Sequence, residues 1–160
     1  MKQSLSLGGM TSVEWIKRVA IPWFTSLGIT RRTVTLEVVG RTSGEPRRVS
    51  LSRTDYGGQQ FFVSLAGESV WVRNVRAAGG KAVIVWRGRH PVRLEEVSRE
   101  ERAPIMLAYV QKRAFTHSGA QASRHFFGLG PNPTLVEMQA RVDGYIVMRI
   151  LPDPEAPIAR

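Results

Sequence analysis

The 160-residue chain has no cysteine. That absence excludes disulfides, thiolate nucleophiles, zinc–thiolate sites and iron–sulfur clusters. A disulfide-stapled extracellular scaffold goes with them, which leaves a cytosolic setting as the default. No apolar run approaches the roughly 18–20 residues that cross a bilayer. The N-terminal segment carries Lys2 but no long apolar centre and no small-residue cleavage site, so it does not read as a signal peptide. The expectation is a soluble, or at most peripheral, protein. Histidine is scarce, and His90, His117 and His125 lack a metal-ligand spacing. No metal site and no protein-borne catalytic set is therefore expected. Ser64 and Ser69 do not sit in a nucleophile elbow, and Glu100 with Glu101 reads as a solvated helix start. An enzyme built this way needs a bound cofactor for its difficult step.

Acidic residues are also few: 13 against 23 lysines and arginines, a net charge of +10. Such a surface attracts nucleic acid, acidic lipid or an acidic small molecule. No recognised nucleic-acid motif accompanies the arginines, so nucleic acid ranks last.

The 42% of hydrophobic residues is enough for one globular domain. Residues 1–11 read as a mobile N-terminus, 12–151 as the domain and 152–160 as an irregular tail. From Ser12, apolar residues at Ile16, Val19, Ala20, Trp23 and Leu27 outline one helical face, interrupted by Pro22 and stopped by Gly28. Packing against the domain is the simpler role for this helix. Trp15, Trp23 and Phe24 beside Lys17 and Arg18 also suit a membrane surface. Alternation predicts strands over Thr33–Val39, Arg47–Thr54, Gln60–Ala66, Ala82–Arg87, His90–Val97 and Tyr145–Leu151. Helices are expected from Ser69 or Val70 to Ala78, from a Ser98/Glu101 capping box towards Phe115, and over Thr134–Val142. Residues 116–133 read as a loop or broken helix. Six strands in mostly hairpin order imply an antiparallel sheet curled into a small barrel, which removes its edges.

Two segments carry the chemistry. Gly40-Arg41-Thr42-Ser43-Gly44-Glu45-Pro46-Arg47-Arg48 is a glycine-bracketed turn with guanidinium forks and hydroxyls suited to phosphate or carboxylate oxygens. Alternation turns Arg47 and Arg48 to opposite faces, so one of them enters a given pocket. The second segment runs from Ser64, Leu65, Ala66 and Gly67 to Trp71 and Asn74 and joins a strand to a helix N-terminus, where free N–H groups favour an anion or carbonyl. Trp71 reads more readily as core than as ligand wall. Arg73 and Arg76, on the same helix, are placed to extend a positive groove.

The turn, followed by Trp71-Val72-Arg73-Asn74-Val75-Arg76-Ala77-Ala78-Gly79-Gly80, resembles the deazaflavin-dependent nitroreductase and quinone reductase family over most of the chain. The resemblance implies a split β-barrel related to flavin-reductase-like, FMN-binding folds. It implies coenzyme F420, a 5-deazaflavin with a phosphate and an oligoglutamate tail, as cofactor in an actinobacterial or similar cytoplasm. It puts Arg41, Ser43 and Arg47 on the phosphate and tail, with Thr42 and Gly44 in the same turn. Ser64, Leu65, Ala66 and Gly67 then line the ring, and Trp71 and Asn74 lie beneath it. Family members often place tyrosines near the substrate in the late helical region, where this chain has Phe126 and Phe127. The implied activity is hydride transfer from reduced F420 to quinones or other conjugated electrophiles. A flavin mononucleotide-binding oxidoreductase and a non-catalytic deazaflavin-binding protein stay open, as does assembly as a homodimer.

Overall fold

A computed structural model describes residues 33–111 and 123–156. The N-terminal helix with its membrane-surface option, the end of the helix expected to reach Phe115, and His117 lie outside the described residues.

Six strands form the body: β1 (Thr33–Val39), β2 (Pro46–Tyr56), β3 (Gln59–Ser64), β4 (Lys81–Val85), β5 (Arg89–Glu96) and β6 (Ile146–Pro152). Every pairing is antiparallel, and the order β1-β2-β3-β6-β5-β4 closes as β4 returns to β1. The closed antiparallel barrel expected from the hairpin order is thus the observed architecture. The helices are α1 (Val70–Ala77), α2 (Arg99–Gln111) and α3 (Leu135–Gln139).

The period of two in the strands divides the apolar side chains between two cores. Val34, Leu36, Val38, Phe62, Ile84, Val92 and Ile150 point into the barrel, where Trp71, Val72 and Val75 of α1 join them. The alternate residues Phe61, Val63 and Val147 face outward and meet Met106 and Tyr109 of α2, Met138 of α3 and Phe127. Arg102 ties α2 to the barrel by donating to the carbonyls of Val97 (3.2 Å) and Tyr145 (2.9 Å). Pro104 lies inside α2 without ending it. It is in the second turn, where little of the helix precedes the proline ring.

Boundaries differ from the sequence reading at several element ends: β2 extends to Tyr56 and β4 stops at Val85, and three further differences have a physical cause. β3 stops at Ser64 rather than Ala66, because the chain bends there to start α1. The helix expected over Thr134–Val142 is shorter, and a separate 3₁₀ turn covers Val142–Gly144. Its start is sharp: the Thr134 hydroxyl accepts from the Glu137 N–H while the Glu137 carboxylate accepts from the Thr134 N–H, a reciprocal cap. β6 includes Pro152, which was expected to open the irregular tail; it sits opposite Val92 at the strand's last position, where a missing N–H costs little. Beyond it, Glu155 pairs with Lys81 at the start of β4.

Candidate functional site

β1 and β2 are joined by a tight turn in which the Gly40 N–H donates to the Glu45 carbonyl (2.8 Å) and the Gly44 N–H to the Gly40 carbonyl (2.8 Å). A Cβ on Gly40 would come within 2.8 Å of the Ser43 hydroxyl and 3.2 Å of the Glu45 carbonyl, so the turn is closed around a residue without a side chain. Ser43 Oγ accepts from the Glu45 N–H (3.3 Å) and from Arg47 Nη2 (3.4 Å).

The turn is fastened to α1 by Asn74, which is 3% exposed. Its Oδ1 accepts from the Arg41 backbone N–H (3.2 Å) and from Arg41 Nη1 (3.1 Å). The two sequence motifs, 33 residues apart, therefore meet directly. Between them lies a groove of about 720 Å³, walled by Gly40, Arg41, Thr42 and Ser43 of the turn, by Val38, Arg47, Arg48 and Val49 of β1 and β2, and by Ser69, Val70, Trp71 and Asn74 at the start of α1.

The N-terminus of α1 opens on this groove without a side-chain cap. Ser69 is the N-cap but its side chain makes no capping bond, and no acidic residue occupies the first turn. The Ser69 hydroxyl is instead 3.0 Å from that of Ser64. The positive end of the helix dipole and the arginine turn thus bound one cavity. Trp71 plays both parts considered for it. Only 8% of it is exposed, it meets Phe62 edge-on at a ring separation of 6.3 Å, and its remaining surface walls the groove.

Of the residues singled out in the sequence, Arg41, Thr42, Ser43, Arg47, Trp71 and Asn74 come together at the groove. Gly44 stays in the turn, outside the groove wall. Ser64, Leu65, Ala66 and Gly67 are not brought to the wall either. Ser64 is buried and donates to the Gly67 carbonyl (2.7 Å), and Leu65 packs on the outer core. This loop fixes where α1 begins. The expected positive extension through Arg73 and Arg76 is absent, because Arg73 donates to the Glu68 carbonyl (3.0 Å) and Arg76 bridges Glu68 (2.8 Å) and Glu96 (3.0 Å). Those carboxylates push the Arg76 pKa up. Phe127 is part of the outer core, and neither it nor Phe126 lines the groove. Among the described residues no group of acidic or histidine side chains is placed to hold a metal ion.

Sequence reasoning missed Val38, Val49, Ser69 and Val70, the groove's plain walls. Pairing of Val38 with Arg47 and of Leu36 with Val49 puts Arg47 and Val49 on the inward face of β2. Arg48 faces outward and gives its Nε to Glu37 (2.9 Å), which also receives Arg89 Nη2 (2.5 Å). Glu37 is 6% exposed, and its two guanidinium partners hold its pKa down to about 2.

A closed antiparallel barrel of six strands, with an arginine-rich turn facing a helix start at one groove, defines a split β-barrel protein. The family model described as F420H(2)-dependent quinone reductase matches residues 24–125, and the chain belongs to that family. Among solved structures, the F420-H2 dependent reductase FDR-A is similar at 20% identity, over 76% of this chain and 94% of that one, with a TM-score of 0.46. A proposed 5-nitroimidazole antibiotic resistance protein of Bacteroides thetaiotaomicron is similar at 10% identity, over 82% and 79%, with a TM-score of 0.51. The haem storage protein HutZ of Vibrio cholerae is similar at 12% identity, over 82% and 89%, with a TM-score of 0.47. No curated protein matches the sequence.

Proposed function

We propose that the protein is an oxidoreductase that binds reduced coenzyme F420 in the groove and passes its hydride to a quinone or another conjugated electrophile. The observation that carries this reading is the groove's mixed lining. Arg41, Thr42, Ser43 and Arg47 share one groove with the apolar residues Val38, Val49, Val70 and Trp71. A volume of about 720 Å³ suits a ligand of coenzyme size. This donor set fits a flat ring joined to an anionic tail.

The bound coenzyme would supply a hydride from carbon 5 of its deazaflavin. The chain's own part is binding and orientation. Arg47 has a single weak partner among the described residues, the 3.4 Å contact with Ser43, so its fork is available to a phosphate. Arg41 is held against Asn74 and presents a fixed positive edge. Val38, Val49 and Trp71 would shield a bound ring from water and hold it for transfer to an acceptor. The uncapped amides of α1 oppose the negative charge that builds up as the acceptor is reduced.

The test is equilibrium titration of the full chain with F420 and, in parallel, with flavin mononucleotide, followed by mixing the reduced complex with a menaquinone analogue. Micromolar binding of F420 and its oxidation by the quinone are expected. Failure to bind F420 at micromolar concentrations overturns the assignment. Binding without turnover on any quinone leaves a coenzyme carrier in its place.

A further inference from the structure

A second cavity, of about 360 Å³, opens on the outer face of the barrel and shares no lining residue with the groove. One side of it is built from the β2–β3 hairpin and β6, through Tyr56, Gln59, Phe61 and Arg149. The other side is the start of α2, through Glu100, Glu101, Pro104 and Ile105. Strand register explains the meeting. Tyr56 stands opposite Gln59 and Phe61 opposite Arg149, so these four side chains share one face of the sheet.

Polar groups in and beside this cavity are left without partners. Among the described residues, three buried side-chain atoms have no hydrogen bond: Gln59 Oε1, Arg149 Nε and Thr54 Oγ1. Gln59 and Arg149 line the cavity, and Thr54 stands opposite Phe61 on the same face. Arg149 is held in place from two sides. Its Nη1 donates to Glu95 (2.9 Å), and its guanidinium lies 5.7 Å from the centre of the Phe61 ring. Its Nη2 is 3.6 Å from Glu101, beyond hydrogen-bond length. The Nε–Nη2 edge of the guanidinium therefore has hydrogen-bonding capacity to spare, and the Gln59 oxygen lacks a donor. Buried polar groups are rarely left so in a folded chain. A partner supplied from outside the chain answers both needs.

The charges around these atoms select the chemistry of that partner. Glu100 and Glu101 repel an anion, and Arg149 repels a cation. A neutral group that both accepts and donates meets neither cost. A carboxamide is such a group: its oxygen accepts an N–H of Arg149, and its own N–H donates to Gln59 Oε1. Phe61, Pro104 and Ile105 offer apolar wall to whatever carries it, and the Tyr56 ring stands at the hairpin side. We propose that this cavity is a second ligand site, which takes a neutral carboxamide borne on a small, flat, apolar body. Its size lies at the low end for ligand pockets. The site does not depend on what occupies the groove.

The experiment compares benzamide, benzoate and benzylammonium, probes of one shape and different charge, by methyl NMR titration of the full chain at neutral pH. Shifts at Ile105 report this cavity, and shifts at Val38 and Val49 report the groove. Benzamide at millimolar concentrations should move the Ile105 signals, with an affinity there about tenfold above that of either ion. Gln59→Leu should weaken benzamide binding about fivefold, since the amide loses its acceptor. That variant removes an unpartnered buried oxygen, so its thermal midpoint should not fall. No response of Ile105 to benzamide overturns the proposal, as does equal or tighter binding of either ion at this cavity. An unchanged benzamide affinity in a folded Gln59→Leu protein overturns it too, because the amide is then not read by Gln59. If the variant does not fold, the comparison of the three probes on the unmodified chain decides the matter alone.

Discussion

Among single residues, those that hold the groove are separable from those that would contact a ligand. Asn74 belongs to the first kind, because both hydrogen bonds accepted by its Oδ1 come from Arg41. Replacing it with Leu keeps the shape and leaves the Arg41 N–H without its partner, a loss of about 1–2 kcal/mol in stability. Urea unfolding should show that loss, and F420 titration should show weaker binding as the turn loosens. Arg47 belongs to the second kind. Arg47→Ala should leave the urea midpoint unchanged and weaken F420 binding about tenfold, the worth of one guanidinium–phosphate pair. A parallel loss in both measurements would place Arg47 in the scaffold instead. Arg41, Ser43 and Arg47 were legible in the sequence because a glycine-bracketed arginine turn is local and unusual, whereas Trp71 read more readily as core and was put at the site, with Asn74, by the family resemblance. Val38, Val49 and Val70 were not legible, since a valine at a groove and a valine in a core look alike until the strand register is known.

At the scale of elements, alternation located all six strands, since one face of each is buried. The ends were harder to read. The stop of β3 at Ser64 depends on the Ser64–Gly67 bond and on the packing of Leu65, both tertiary facts. The fate of Arg76 depends on Glu96 lying across the barrel rim from α1, 20 residues along the chain. The link from α1 to β4 shows how strictly such joints are set. Gly80 has φ +87°, its N–H donates to the Val75 carbonyl (2.9 Å), and its own carbonyl receives the Leu94 N–H (2.8 Å). A Cβ there would sit 2.6 Å from the Leu94 carbonyl oxygen. Gly80→Ala should cost about 2 kcal/mol or more, combining left-handed strain with a backbone clash. Thr134→Ala, which removes one half of the reciprocal cap on α3, should cost about 1 kcal/mol. Thermal unfolding compares the two, and the larger drop for Gly80→Ala is the result expected.

For the whole molecule, a net charge of +10 coexists with a closed barrel, and among the described residues Glu37, Glu68, Asp143 and Glu155 are engaged with cations. Arg48 and Arg89 lower the pKa of Glu37, Arg76 lowers that of Glu68, Arg99 that of Asp143 and Lys81 that of Glu155. Each of these groups binds a proton more readily in the unfolded chain than in the folded one. Stability from them is therefore present above the ordinary carboxylate range and lost as the pH falls. Glu37 has the widest window, from its ordinary value of 4.5 down to about 2. As these carboxylates protonate, the positive charge of the molecule rises further and self-repulsion adds to the loss. Glu37→Gln should lower stability at pH 7 yet reduce its slope between pH 5 and pH 2, because the variant has one less proton to take up on unfolding. Urea midpoints measured across that range check the sign. A variant whose acid limb runs parallel to that of wild type would mean that Glu37 titrates normally and that its two arginines do not hold it in solution.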